Sequence, residues 1–253
     1  QASFLQNSTK AEMFENGTGQ MKYYWNNYDA IELMTSSTTE KYLYKGTDKV
    51  RVAEFKGESI DIGAGVFAVY GGKKLELSEG GITFELPSEY TFSNARMALA
   101  PMCAYGKKPS LDFVDCCGYI GLEVKGDAKI KSLSITPVST NESLSGSIRI
   151  TVADDVMDIE NAPKFKDRAV TMKMSQPLLL NSNSTIKIVV PVLTGSFSKG
   201  VELTFTDDAQ NKTTFVAEDP AEVSKGKITW LEDIYTVSAD MSDELIEDTT
   251  PDP

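Results

Sequence analysis

The sequence predicts an all-β protein built from two antiparallel β-sandwich domains. Apolar and polar residues alternate with a period of two in many short segments, which is the pattern of strands with one buried face. No segment carries apolar residues at the i, i+3, i+4, i+7 spacing of a helix. The 253 residues are enough for two domains of ordinary size, each with its own core. Many short strands separated by turns are typical of sandwiches and barrels.

Strand candidates in the first half of the chain are less regular than those in the second. They are predicted near residues 23–25, 30–34, 42–44, 50–55, 66–70 and 97–104. The glycine pairs at 71–72 and 80–81 are typical of turns between strands. The first half is therefore predicted to hold short strands with few residues between them.

The alternation is most regular in the second half. Successive faces are formed by Ile120, Leu122 and Val124; by Leu144, Ile148, Ile150 and Val152; by Val170, Met172 and Met174; and by Ile186, Ile188, Val190 and Val192. Residues 201–205, the turn-prone stretch 207–211 and a partner strand through Phe215 and Ala217 predict a hairpin. Ile228 and Trp230 close the part predicted to be ordered.

One short, charged stretch, residues 106–109, is poorly suited to a central strand because it contains proline. We place the domain boundary there. The prediction is an N-terminal sandwich over residues 1–107 and a C-terminal sandwich over 108–235. An acidic tail or donor-strand segment follows over 236–253.

The charge of the chain excludes several partners. It carries 37 acidic and 25 basic residues, a net charge of −12. Nucleic acid binding needs clustered lysine and arginine, so we expect no nucleic acid partner. The same charge disfavours docking on an anionic lipid surface. No stretch of about 20 apolar residues predicts a membrane span.

Histidine is absent from the chain. This excludes a Ser-His-Asp triad, a Cys-His dyad and an HExxH zinc site. A carboxylate-dependent hydrolase stays open as a class, since paired carboxylates serve glycosidases. However, so many acidic residues form close pairs by chance. We therefore predict that the protein is not an enzyme and that it uses no cofactor and no metal.

The three cysteines are Cys103, Cys116 and Cys117. The adjacent Cys116 and Cys117 point to opposite faces if the segment is extended, so they are poorly placed to pair with each other or to hold one metal together. We interpret the cysteines as small buried apolar residues. One disulfide, from Cys103 to either Cys116 or Cys117, stays open in an oxidising compartment.

Several short segments occur in a characteristic order and spacing. They are residues 25–31 (Trp-Asn-Asn-Tyr-Asp-Ala-Ile), 53–57 (Ala-Glu-Phe-Lys-Gly), 67–70 (Phe-Ala-Val-Tyr), Leu86-Pro87, and 100–104 (Ala-Pro-Met-Cys-Ala) followed by Leu111-Asp112-Phe113. Together they resemble the fimbrillin-like family, the type V pilins that are fimbrial subunits of Bacteroidales. The resemblance covers most of the chain, from about residue 10 to about residue 234.

The resemblance implies a fold, a location and partners. The fold is two transthyretin-like sandwiches in tandem. The location is the cell surface, in a fimbria attached to the outer membrane, after export as a lipoprotein with its signal peptide and lipidated cysteine upstream of Gln1. The role is that of a stalk, tip or anchor subunit that contributes to cell adhesion. The implied partners are other pilin subunits joined by strand exchange, and host or bacterial surface receptors. Contact with the membrane would be through the lipid anchor alone.

The end of the chain offers a donor strand for such exchange. Its apolar face would be formed by Val237, Ala239, Met241 and Leu245, and its polar face by Ser238, Asp240 and Ser242. A donor strand needs this alternation because its apolar side chains fill successive pockets of the acceptor. The alternative is an acidic disordered tail, because residues 243–253 are charged, end in proline and lack aromatics.

A second function is kept open by the aromatic cluster of Tyr23, Tyr24, Trp25 and Tyr28. If exposed, such a cluster would stack against sugar rings. The alternative hypothesis is thus a monomeric surface lipoprotein that binds glycans through an exposed aromatic patch. An exposed aromatic face would favour it. A sandwich pair with a loosely held terminal strand would favour the fimbrial subunit.

Overall fold

The computed structural model describes residues 2–6, 14–15, 21–22, 24–78, 80–92 and 101–239. These residues form strands, turns and loops and contain no helix, so the all-β prediction is confirmed. None of them forms a helix of the length and apolarity that crossing a bilayer requires.

Twelve of the strands lie in the part of the chain before residue 112. In chain order they are β1 (Ala2–Gln6), β2 (Phe14–Glu15), β3 (Met21–Lys22), β4 (Ala30–Met34), β5 (Thr39–Tyr44), β6 (Glu54–Gly57), β7 (Val66–Tyr70), β8 (Lys73–Ser78), β9 (Gly81–Leu86), β10 (Glu89–Phe92), β11 (Met102–Gly106) and β12 (Ser110–Leu111).

The other twelve strands follow, and most of them are longer. They are β13 (Val114–Asp115), β14 (Gly118–Gly126), β15 (Lys129–Pro137), β16 (Gly146–Ala153), β17 (Val156–Pro163), β18 (Val170–Leu179), β19 (Ile186–Val192), β20 (Gly195–Phe197), β21 (Val201–Asp207), β22 (Lys212–Ala217), β23 (Ala221–Val223) and β24 (Ile228–Val237). The predicted hairpin is confirmed, because β21 and β22 pair antiparallel from Val201 and Ala217 to Thr206 and Lys212.

An eight-stranded sheet in the order β12-β1-β6-β5-β4-β7-β11-β13 contains most of the first half. Its core is centred on Trp25, which is fully buried. The indole ring makes edge-to-face contacts with Phe55, Tyr70 and Phe113, at centroid distances of 4.8, 5.2 and 5.8 Å. Aromatic rings prefer this geometry because the positive edge of one meets the negative face of another.

The central strands of this sheet are buried on both faces. In β11, Met102 and Ala104 join the core around Trp25, while Cys103 between them joins a second core on the opposite side. That second core also receives Phe84 from β9 and Ile150 from β16. Burial on both faces explains why 66–70 and 102–104 are continuous apolar runs and do not alternate.

The second core is covered by a four-stranded sheet in the order β17-β16-β9-β8. Here β9 pairs antiparallel with β16, from Gly81 and Thr151 to Leu86 and Gly146. The next strand, β10, pairs parallel with β18. Strands from before the predicted boundary at 107/108 are therefore paired with strands from after it.

The stretch 106–109, which the sequence suggested as a linker, connects β11 to β12 within the eight-stranded sheet. The boundary is thus not marked by a break in the sheets. The division into domains 1–107 and 108–235, and the count of two transthyretin-like sandwiches, stay predictions.

The remaining strands form a sandwich. A five-stranded sheet in the order β10-β18-β15-β21-β22 and a three-stranded sheet in the order β19-β14-β24 share one apolar core. Leu133 and Phe205 from the first sheet and Ile120 and Val190 from the second are buried in it. This sandwich places β24, the last strand that the structure describes, at the edge of the smaller sheet.

Candidate assembly site at the terminal strand

The last strand that the structure describes, β24, lies at the edge of its sheet and runs parallel to its neighbour β14. It pairs with β14 from Tyr119 and Ile228 to Gly126 and Val237, with an irregularity between Gly121 and Glu123. Parallel ladders are slightly less stable per residue than antiparallel ones. An edge strand also leaves one row of its backbone groups without a partner strand in its sheet.

Only two side chains of β24 are buried, Tyr235 and Val237, with 4% and 2% of their surface exposed. Both belong to the sandwich core, where the Tyr235 ring makes an edge contact with Phe215 at 5.4 Å. The other eight residues of the strand are half-buried or exposed. The strand is therefore held mainly by its backbone ladder and by these two anchors at its C-terminal end.

The hydroxyl group of Tyr235 is buried and has no hydrogen-bond partner among the residues that the structure describes. Burial, together with the charges of Asp233 and Asp219, raises the pKa of Tyr235 to about 12. A buried polar group left unpaired costs roughly 1–3 kcal/mol. Tyr235 therefore anchors β24 through its ring but also buries a hydroxyl oxygen that lacks a compensating hydrogen bond.

The C-terminal end of β24 is hydrogen-bonded to the turn that follows β14. The backbone N–H groups of Asp127 and Ala128 donate to the carbonyl oxygen of Val237, at 3.2 and 3.4 Å. In return, the backbone N–H of Ala239 donates to the carboxylate Oδ1 of Asp127 at 3.0 Å. Asp127 therefore binds the chain at two points just where the described residues end.

Glycines in β14 make room for β24. Gly126 has φ of +138°, and a Cβ atom there would collide with the carbonyl oxygen of Val237. At Gly121 a Cβ atom would lie 2.6 Å from the Trp230 ring and 2.7 Å from the side chain of Ile228. Such approaches are closer than Cβ contacts allow, so β14 is shaped to accept a strand at this edge.

One face of the same three-stranded sheet carries a polar contact that reaches from β19 across β14 to β24. The Lys187 ammonium group lies 4.7 Å from the centre of the Trp230 ring, in a cation–π arrangement, and 3.5 Å from a carboxylate oxygen of Glu123. Exposed contacts of this kind contribute at most about 1 kcal/mol each. These contacts orient the first half of β24 but add little to the free energy that holds the strand on β14.

The four residues predicted as the donor strand have different positions. Val237 is the last residue of β24 and is buried in its own sandwich. Ala239 is exposed and is held through its backbone. Met241 and Leu245 lie outside the described residues. The buried pair is Tyr235 and Val237, so the alternation begins one step earlier than the sequence suggested.

The aromatic cluster proposed for glycan stacking does not form a single exposed face. Trp25 is fully buried, whereas Tyr28, at φ of +69°, is 71% exposed and Tyr24 is half-buried. Tyr23 lies outside the described residues. The indole, which would be the best stacking surface, belongs to the core because it fills the centre of the eight-stranded sheet.

A polar cleft of about 450 Å³ lies beside β10 and β18. It contains Arg168, whose guanidinium donates to the carbonyl oxygens of Pro137, Ser139 and Glu142, and Glu89, which is 2.7 Å from the ammonium of Lys173. These charges are therefore engaged in local structure. In the described part of the chain, no three histidine, cysteine or acidic side chains are grouped to hold a metal ion.

No protein-family model and no curated protein matches the chain. Solved structures to which it is similar include a candidate cell adhesion protein from Bacteroides ovatus, at 13% identity over 93% of this chain and 91% of that chain, with a TM-score of 0.49. Another candidate cell adhesion protein, from Bacteroides uniformis, is 14% identical over 95% and 92%, with a TM-score of 0.48.

A further similar structure is the tip fimbrial protein from Porphyromonas gingivalis with a C-terminal truncation. It is 11% identical over 96% of each chain, with a TM-score of 0.36. These structures are described as cell adhesion and fimbrial proteins.

Proposed function

We propose that the protein is a structural subunit of a bacterial surface fimbria, that it contributes to cell adhesion, and that it is assembled with other pilin subunits by strand exchange. The observation that carries the proposal is the terminal strand β24, an edge strand paired parallel to β14 and anchored by two buried side chains. The family resemblance of the sequence supports it independently.

The physical basis for exchange is that β24 makes the same contacts whichever chain supplies it. Its backbone ladder to β14 and the burial of Tyr235 and Val237 would form equally in cis and in trans. Exchange of an identical element therefore costs little free energy, and subunit concentration decides how far it proceeds. The unpaired hydroxyl of Tyr235 and the parallel pairing both lower the free energy needed to release the strand.

The acceptor that the structure offers is the edge of β14 that a departing β24 would leave open. Gly121 and Gly126 line this edge, and the pockets of Tyr235 and Val237 lie beneath it. Residues beyond Val237, including the predicted donor positions Met241 and Leu245, would extend the exchanged segment. Export as a lipoprotein and attachment to the outer membrane belong to the same proposal.

A glycan-binding monomer has less support from the structure, because Trp25 is buried in the core. We keep receptor binding as a property of the assembled fimbria. The proposed role is structural and involves no catalysis.

The test uses a donor-defective and an acceptor-defective variant. Val237→Asp places a charge on the buried face of β24, and Gly121→Val fills the space of Trp230 on β14. Thr236→Asp, on the exposed face of the same strand, is the matched control for Val237→Asp. Each variant is first checked for folding by circular dichroism, then examined by electron microscopy and native gels.

Strand exchange predicts that wild type and Thr236→Asp form filaments or ladders of oligomers and that neither defective variant does so alone. Mixing the two defective variants should give dimers and nothing longer, because one good donor meets one good acceptor. A truncation after Ala239 tests the tail separately. Wild-type assembly by folded Val237→Asp would show that β24 is not the donor.

A further inference from the structure

All three cysteines contribute to the second core, which lies between the eight-stranded sheet and the four-stranded sheet. Cys103 is in β11, and Cys116 and Cys117 connect β13 to β14. All three are fully buried in the core that also holds Phe84 and Ile150, and none of the three is in a disulfide in the structure.

The backbone brings two of these thiols together. In the antiparallel ladder of β11 and β13, Met102 pairs with Asp115 and Cys103 pairs with Val114. The N–H of Cys116 then donates to the carbonyl oxygen of Pro101 at 3.1 Å, which extends the ladder by one step. The side chains of Cys103 and Cys116 are in hydrogen-bonding contact with each other.

The third thiol has a different neighbour. Cys117 lies near the hydroxyl of Tyr90, and burial and then the charge of Cys117 raise the pKa of that phenol. Of the two pairings that the sequence leaves open, the structure thus favours Cys103 with Cys116.

We propose that Cys103 and Cys116 form a disulfide when the chain is exported, and that Cys117 takes no part in this bond. The oxidant is a disulfide carrier of the export compartment, either a protein or a small molecule. One cysteine thiolate attacks a sulfur of the carrier disulfide and releases the first carrier thiol. The other cysteine then attacks the mixed disulfide and releases the second. Two electrons pass to the carrier, and the two protons end on its thiols.

This step belongs to folding and not to the finished fold. Burial and the contact with Cys103 raise the pKa of the Cys116 thiol well above its usual range, so little thiolate exists once the core has closed. Exchange must therefore occur while the segment 103–117 is still open. After closure the bond is shielded from reductants by the same burial.

The disulfide would strengthen a part of the chain that is held by few backbone pairs. The ladder of β11 and β13 has only two residue pairs, yet it connects the eight-stranded sheet to β14, the central strand of the smaller sheet of the C-terminal sandwich. A disulfide closing a short loop here stabilises the folded state by restricting the unfolded chain. The proposal needs an oxidising compartment but not filament assembly, so either can fail without the other.

The test is thiol counting on the full chain secreted to an oxidising compartment. The protein is denatured without reductant, alkylated, and digested for mass spectrometry. One alkylated thiol per chain, at Cys117, and a peptide linking Cys103 to Cys116 are the expected results. Three alkylated thiols, or a bond that uses Cys117, would overturn the proposal.

Two variants and a melting experiment complete the test. Cys117→Ala should keep the linked peptide, while Cys103→Ala should leave two alkylated thiols. Wild type should melt roughly 5–10 °C higher when oxidised than when reduced, and Cys103→Ala should show no such difference. An unchanged melting temperature of wild type on reduction would show that the bond is absent or does not constrain the fold. The comparison within wild type stands even if Cys103→Ala folds poorly.

Discussion

The carbonyl oxygen of Val237 occupies the place that a side chain at Gly126 would need. The two residues are paired at the end of the parallel ladder between β14 and β24. The closed position of the terminal strand therefore depends on a glycine more than a hundred residues earlier in the chain. This relationship connects local backbone geometry to the proposed exchange of β24 between subunits.

Gly126→Ala is expected to destabilise the closed terminal strand. The new methyl group would collide with Val237, and φ of +138° is unfavourable for alanine, so we expect a loss of about 2–4 kcal/mol in the free energy of unfolding. Urea denaturation measures this loss. Gly80→Ala is the control, because Gly80 also has a positive φ but nothing within 4 Å of its Cβ position. Equal losses at the two positions would contradict a steric role for Val237.

Asp127→Ala is expected to loosen the end of β24 without unfolding the sandwich. The change removes the acceptor of the Ala239 N–H, a charge-assisted bond at an exposed site, which typically contributes about 1 kcal/mol. Hydrogen exchange should become several-fold faster at the amides of 235–239, while β15 and β21 keep their protection. Asp112→Ala, at an exposed position, is the control. Unchanged hydrogen-exchange rates at the amides of 235–239 would show that the hydrogen bond from Ala239 to Asp127 does not hold the strand.

Trp25→Ala is expected to cost about 3–5 kcal/mol of stability, because it empties the centre of the N-terminal core. Tyr28→Ala, at a largely exposed position three residues away, should change stability by less than about 0.5 kcal/mol. Thermal or urea unfolding checks both. If Tyr28→Ala alone abolished binding to a glycan array, the glycan-binding alternative would regain support.

The sequence was sufficient for the all-β class and for most of the long strands of the second half, because half-buried strands show their alternation directly. Two alternating strands there, β15 and β17, were not among those predicted. Neither β9 nor its pairing with β16 was predicted, since the faces of Phe84 and Ile148 give no sign of their partner. The long-range order of strands depends on which apolar faces are complementary in shape, and alternation does not encode this.

The candidate site was found only in part from the sequence. Val237 was recognised by its alternation with the polar residues after it, but Tyr235 was assigned to the end of the folded domain and not to the exchangeable segment. A signal was present, because Tyr235 and Val237 stand two residues apart. The spacing of Gly118, Gly121 and Gly126 in β14 was a second signal. No sequence pattern marked Asp127, because its role depends on a hydrogen bond from the backbone N–H of Ala239.

Tyr235→Phe is expected to leave stability at neutral pH unchanged or to raise it by up to about 1 kcal/mol. The variant keeps the ring against Phe215 and removes a buried hydroxyl that has no partner. Urea denaturation at pH 7 measures the difference. A loss greater than about 1 kcal/mol would show that the hydroxyl has a partner in solution.

The same variant has an expected effect at alkaline pH, whose sign follows from the raised pKa of Tyr235. The phenol ionises near its ordinary value of 10.0 in the unfolded chain but at about 12 in the folded protein. Its contribution to stability is therefore complete below pH 10 and is lost as the pH rises toward 12, because the unfolded chain releases its proton first.

Tyr235→Phe should lose less stability than wild type between pH 10 and 12, although Tyr70 and Tyr90, whose pKa values are also raised, will still contribute to the decline. Urea titrations at several pH values measure the two slopes. Parallel slopes for the two proteins would mean that Tyr235 is solvated in the folded state, and that β24 is already released from β14 in solution.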